Sequence, residues 1–172
     1  MISQELFRRT MRQLASGVAV ITTEWYGKSH AMTATSFTSV SSDPPLVLVC
    51  INSITDTDAL LRRSGRFGVS LLKGDQQALS NRFAATSEAR YNFKDEGTRR
   101  CPGGALVFDG CAAVVEATVV NSYTAGDHSI YIGRVDYAES DENGRPLIYY
   151  QGAYHILGEE AVSQNSCEVK AV

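Results

Sequence analysis

Two long strand patterns, Cys111–Tyr123 and His128–Glu139, stand on either side of the short segment Thr124-Ala125-Gly126-Asp127. That separation suits consecutive strands and leaves no room for the helix of a βαβ unit. Further strand patterns occur at Val18–Thr23, Met32–Ser36, Leu46–Ile51 and Phe67–Leu72. Asp141-Glu142-Asn143-Gly144 is a strong turn signal before another, Pro146–Gln151. Six or more strands with few helices predict a closed or nearly closed barrel.

Helical signals are short. Leu6, Phe7, Thr10, Met11 and Leu14 recur at helical spacing, with Ser3 as N-cap and Gly17 as a stop. Asp56–Ser64 reads as a helix ended by Gly65, and Asp75 as the cap of a helix through Phe83. Tyr26-Gly27-Lys28 is the expected turn between the first two strands. The continuous apolar run Leu46–Ile51 predicts burial on both faces. Ala85–Gly104 is polar and without a clear period, which predicts a long surface or lid loop. The expected organisation is one domain over residues 1–157, followed by a polar tail over 158–172.

Charge and cysteine usage exclude several function classes. A net charge of −3 and a pI near 5.6 provide no broad basic face for nucleic acid. Cys50, Cys101, Cys111 and Cys167 form no C-x-x-C pair, and His30, His128 and His155 lack metal-ligand spacing, so no metal site is expected. Reduced thiols, no secretory pattern and no apolar run of spanning length predict a cytoplasmic protein without a membrane partner. Gly27-Lys28-Ser29 ends like a P-loop but has Thr22 where the first glycine belongs, and no G-x-G-x-x-G occurs.

Met32–Ser41, MTATSFTSVS, is where chemistry concentrates. Six of its ten residues are hydroxylic: Thr33, Thr35, Ser36, Thr38, Ser39 and Ser41. Such a strand brings its backbone close to a planar ligand and offers hydroxyl and N–H donors. Downstream, Leu46–Ile51 leads through Asn52 and Ser53 to a helix beginning near Thr57. A strand entering a helix N-terminus presents free N–H groups and a favourable dipole to an anion.

Four blocks in order carry a resemblance: Phe7–Ala19 (FRRTMRQLASGVA), MTATSFTSVS with the following DPPLVLVCIN, Ala125–His128 (AGDH) with Gly133-Arg134-Val135, and Pro146–Leu157 (PLIYYQGAYHIL). Together they resemble the short-chain flavin reductases, the reductase components of two-component flavin monooxygenases. The resemblance implies a mainly β fold, an FMN-binding split β-barrel of Greek-key-like form with a few short helices, assembled as a homodimer. It implies an NAD(P)H:flavin oxidoreductase that passes hydride from nicotinamide to FMN or FAD. Reduced flavin would then go to a separate monooxygenase. NADH is the expected donor, with NADPH possible, because no arginine is assignable to a 2′-phosphate.

The resemblance also implies site residues. Thr33, Ala34, Thr35, Ser36, Ser39, Val40 and Ser41 would line the flavin ring, largely through main-chain groups. Cys50, Ile51, Asn52, Ser53 and Thr57 would hold the phosphate, with Ile54 standing where the family commonly has a serine. Arg82, Phe83 and Ala84 match a segment that closes over the flavin or its phosphates, and Tyr154 a C-terminal segment near it. His128, oriented by Asp127, would help to place the nicotinamide. The alternative on the same fold is a flavin-binding sensor or carrier without turnover.

Overall fold

The computed structural model describes residues 1–91, 93–94 and 97–158. Seven strands form one antiparallel sheet: β2 (Ala19–Trp25), β3 (Lys28–Ala34), β4 (Phe37–Ser42), β5 (Pro45–Asn52), β6 (Arg66–Leu71), β9 (Ala113–Ala125) and β10 (His128–Ser140). Their order is β3-β2-β6-β9-β10-β5-β4, so the two edge strands are neighbours in sequence. Only Thr35 and Ser36 connect them. Ala34 and Phe37 can lie no more than ~11 Å apart on a chain of that length. A flat sheet of seven strands would put its edges about 29 Å apart. The sheet must therefore curl round until β3 and β4 approach. These two strands do not pair among the described residues, so the barrel stays split along that seam.

Among the described residues, two smaller sheets and three α-helices complete the fold. β1 (Ser16–Gly17), β11 (Leu147–Tyr150) and β12 (Ala153–Ile156) pair in the order β1-β11-β12, and β7 (Thr98–Arg100) pairs with β8 (Leu106–Phe108). The helices are α1 (Gln4–Met11), α2 (Asp56–Ser64) and α3 (Gln77–Ala84). Among the described residues no helix is long and apolar enough to cross a membrane.

Alternation along β2 divides the core. Ala19 and Ile21 join Val47, Val49, Ile51, Phe67 and Tyr131 on one face, while Val18 and Val20 join Leu72, Phe83, Phe93, Phe108 and Leu147 on the other. Gly133 permits the first cluster to close, since a Cβ there would stand 2.6 Å from the Phe67 ring. The β2–β3 turn uses Tyr26 and Gly27 at φ of 46° and 80°, the backbone of a two-residue hairpin.

Four local expectations are revised. β5 alternates instead of burying both faces: Val47, Val49 and Ile51 are buried, while Leu46, Leu48 and Cys50 remain partly exposed. One chain supplies a core to only one side of this strand. The first helix stops at Met11 and winds down through tight turns at Gln13 and Leu14, and none of its residues is buried. Asp75 does not cap α3, because it sits within a 3₁₀ turn, Gly74–Gln76, held where Lys73 N–H donates to Gln76 Oε1 at 2.9 Å. The segment 85–104 is anchored, not a free lid: Phe93 and Cys101 are buried, and the Phe93 ring lies 5.6 Å from Phe83 and 5.7 Å from Phe108. Single apolar anchors spaced among polar residues leave no period to read. The expected tail lies outside the described residues from position 159 onward.

Candidate functional site

At one end of the β5–β10 ladder, His128 stands opposite Asn52. β9 and β10 are joined by Gly126-Asp127 alone, with Gly126 at φ 62°, which an L side chain adopts only under strain. The loop after β5 is tied to this turn, where Ser53 donates both its N–H and its hydroxyl to the Asp127 carbonyl, each at 3.0 Å. His128 Nδ1 meets Asp127 Oδ1 at 2.7 Å. That contact holds the exposed Asp127 carboxyl below the usual carboxylate range. Fixing one ring nitrogen leaves Nε2 of the partly exposed imidazole for a ligand.

The Thr35–Ser36 link reaches the same rim. Ser36 Oγ donates to the Cys50 carbonyl at 2.8 Å, two residues before Asn52 on β5. Thr35, Ser39 and Val40 are exposed, and Val40 is the extra residue of a bulge where the β4–β5 register shifts. Ser41 accepts a hydrogen bond from Asp43 N–H at 3.2 Å. Ala34 is buried, and Thr33 turns to the other side, donating to the Ser80 carbonyl at 2.7 Å. Tyr154 OH shares a 2.8 Å hydrogen bond with Ser80 Oγ, so Thr33 and Tyr154 both dock α3. A cleft of about 400 Å³ runs along Thr35 and Ser36 between α1 and the β11–β12 turn.

Around the start of α2 the side chains differ from expectation. Thr55 is the N-cap, accepting from Asp58 N–H at 3.3 Å. Thr57 is fully buried and its hydroxyl is 2.6 Å from His30 Nδ1. An anion at this helix end would meet backbone N–H groups, not the Thr57 hydroxyl. Ile51 is likewise buried, and Asn52 Oδ1 is engaged with Ile54 N–H at 3.1 Å. Ile54 is 91% exposed and apolar, so it supplies no donor in the missing serine's place. Phe83 is a core residue and cannot cover a ligand, whereas Ala84 is exposed and the Arg82 guanidinium lies 5.2 Å above the Phe83 ring. Cys50 is half-buried and burial raises its thiol pKa, so it stays protonated.

Sequence reasoning passed over a polar cluster beside α2. Tyr91 OH donates to the Asp56 carboxylate, and its ring meets His30 edge-on at 4.7 Å. Burial, with the nearby Arg90 charge, pushes His30 down to about 4, so it is neutral near pH 7. A cleft of about 1,020 Å³ opens alongside, between the exposed face of α2 and Tyr91. His30 and Tyr91 come together because the 3₁₀ turn after α3 packs against β3, which carries His30; no local pattern announces it.

These features fit a flavin. Exposed and half-exposed residues from Thr35 to Val40 along an edge strand would suit a flat ring, and the N–H groups of the α2 N-terminus would suit a phosphate.

Comparison with known proteins places these features in a lineage. Residues 11–158 match the family described as flavin reductase like domain. An NADH-dependent flavin reductase of Rhodococcus sp is 40% identical over 155 residues, covering 87% of this chain and 84% of that one. The reductase component of an FADH(2)-dependent resorcinol hydroxylase from Rhizobium sp. is 36% identical over 150 residues, covering 86% of this chain and 84% of that one. The solved structure of flavin reductase PheA2 in its native state superposes with a TM-score of 0.84 at 37% identity, covering 92% of this chain and 100% of the other.

Proposed function

The chain belongs to the flavin reductase like family, and from that membership we propose that it is an NADH-dependent flavin reductase supplying reduced flavin to a separate monooxygenase. The observation that carries this reading is the shared rim. His128, Asn52, Ser53 and the Thr35–Ser36 link are drawn to one end of β5 and β10 by ladder register and three short hydrogen bonds. On this reading the histidine that would position the nicotinamide, the strand link that would carry the flat ring and the loop that would hold the anion are neighbours.

Bound flavin, FMN or FAD, would supply the hydride-accepting N5 and the electron storage, with nicotinamide C4 as donor. The protein's part is placement. Thr35, Ser36, Ser39 and Val40 offer close backbone approach to the ring, and N–H donors there would stabilise the negative charge that reduction brings. The helix start after Ser53 would hold the phosphate. His128, oriented by Asp127, would hold the nicotinamide against the ring so that the reacting atoms meet at ~3–3.5 Å. No protein nucleophile is required.

The assembly we infer is a homodimer. Phe7 and Met11 on α1 and Leu14 just beyond it, together with the uncovered side of β5, expose apolar surface that a second copy would bury. Free thiols at Cys50, Cys101 and Cys111 suit the cytoplasm.

NADH oxidation by the purified chain, with and without FMN, FAD or riboflavin and repeated with NADPH, tests the reading. Turnover that depends on added flavin is expected, and the rates rank the flavins. Flavin binding without turnover on either nicotinamide would make the protein a sensor or carrier instead.

A further inference from the structure

His128 stands at the end of a hairpin that has a neighbouring strand on one side only. β6 accompanies β9 no further than Thr118, and every residue from Val120 to Ala125 is exposed. β10 pairs with β5 on the other side, which sets Asn52 opposite His128. The ends of such ladders open readily unless something else ties them down.

The inward side of β10 supplies that tie. Ser129 and Tyr131, which face inward on either side of Ile130, are each 1% exposed. Arg62 Nη2 donates to Ser129 Oγ at 2.7 Å, and Tyr131 OH donates to Asp58 Oδ1 at 2.7 Å. Arg62 Nε donates to Asp58 Oδ2 at 2.8 Å and closes the ring, because Asp58 and Arg62 lie one turn apart on α2. Burial raises the Asp58 carboxyl, but hydrogen bonds from Tyr131, Ser129 and Arg62 outweigh it and hold the group below its usual range. A buried ion pair is a costly way to dock a helix, since apolar residues of similar volume do so as well or better. Directional bonds add a fixed position, where apolar contact lets surfaces slide.

We propose that Asp58, Arg62 and Tyr131 are positioning residues for His128, clamping the end of β10 to α2 and so fixing where the imidazole meets the nicotinamide. The proposal rests on the flavin reductase reading and deepens it. Ser129 is both bonded to the clamp and next to His128 in the strand, so a shift of β10 on α2 carries the imidazole with it. The Asp127 contact orients the ring within its turn, and the clamp sets the place of that turn in the molecule. Misplacing a reacting pair by ~1 Å costs up to ~100-fold in rate.

The test is a double-mutant cycle with His128→Ala on the full chain, read as the KM for NADH and the rate of flavin reduction at saturating NADH. Tyr131→Phe removes one hydroxyl and should raise KM or slow reduction ~10-fold, with FMN binding unchanged. In the His128→Ala background the same change should cost less than ~2-fold, because the group it positions is gone. Equal losses in both backgrounds, weakened FMN binding, or no loss in the wild-type background would each overturn the proposal. Arg62→Lys keeps a charge beside Asp58 but lacks the fork that reaches Ser129. It should repeat the pattern, and it decides the matter if Tyr131→Phe does not fold. Hydrogen exchange without nicotinamide gives a second readout: amides of residues 124–128 should exchange ~10-fold faster in either variant, and unchanged exchange overturns the clamp. Faster exchange in variants of a protein that oxidises neither NADH nor NADPH would instead overturn the reductase reading alone.

Discussion

Ser53 gives both its N–H and its hydroxyl to the carbonyl of Asp127, each at 3.0 Å, across 74 residues of sequence. The loop that opens α2 and the turn that carries His128 are thus one rigid unit. On the proposed function, a ligand spanning the rim would meet groups of both elements at a fixed separation, which is what hydride transfer between two stacked rings requires.

His128→Ala should raise the KM for NADH or slow flavin reduction, by ~10-fold or more, without weakening flavin binding. Stopped-flow reduction beside a flavin titration separates the two. Unchanged single-turnover rates would take His128 out of the mechanism.

Acid should destabilise the fold through His30. Burial lowers its folded pKa to about 4, below the unfolded value of ~6.5, so the unfolded chain binds the extra proton. Stability is then full above pH ~6.5 and declines by about 3 kcal/mol as pH falls from there toward the folded value. Thermal melts across that window should show the decline in wild type and a flatter profile in His30→Gln. Parallel profiles would assign the acid sensitivity to other groups.

Gly68→Ala should cost about 3 kcal/mol or more, read by urea denaturation. A Cβ there would stand 2.1 Å from the Leu106 carbonyl oxygen and 2.6 Å from Thr22 Oγ1. The Leu106 carbonyl is held by the Thr22 hydroxyl and is main chain, so it cannot step aside. A stable variant would mean that β8 shifts freely over β6.

Phe7→Glu should convert a dimer to monomers, as measured by sedimentation velocity. Phe7 is 54% exposed on a helix with no buried residue, so the charge would not disturb the folded subunit. A dimer of unchanged strength would place the interface elsewhere.

Much of the architecture was legible locally. The α2 boundaries follow from a helical run ended by Gly65, which indeed takes the left-handed conformation at φ 63°. The β9–β10 hairpin follows from two strand patterns around Gly126-Asp127. What escaped has a common cause. Phe93, β8 and the packed segment 85–104 are held by partners distant in sequence, and isolated anchors in a polar stretch carry no period. Thr57 read as a surface donor because its neighbours are polar, but His30 draws it inward from another element.

The sequence by itself determined the strands, their turns, the hydroxyl-rich segment and the family resemblance, because each is written in residues close together along the chain. Tertiary structure alone decided which of the candidate donors face a ligand. It buried Thr57, Ile51 and Phe83, and engaged Thr33 and Tyr154 on Ser80. The reason is geometric: a side chain's availability depends on what packs over it, and in a barrel closed by the two-residue link Thr35-Ser36 those neighbours come from across the whole chain.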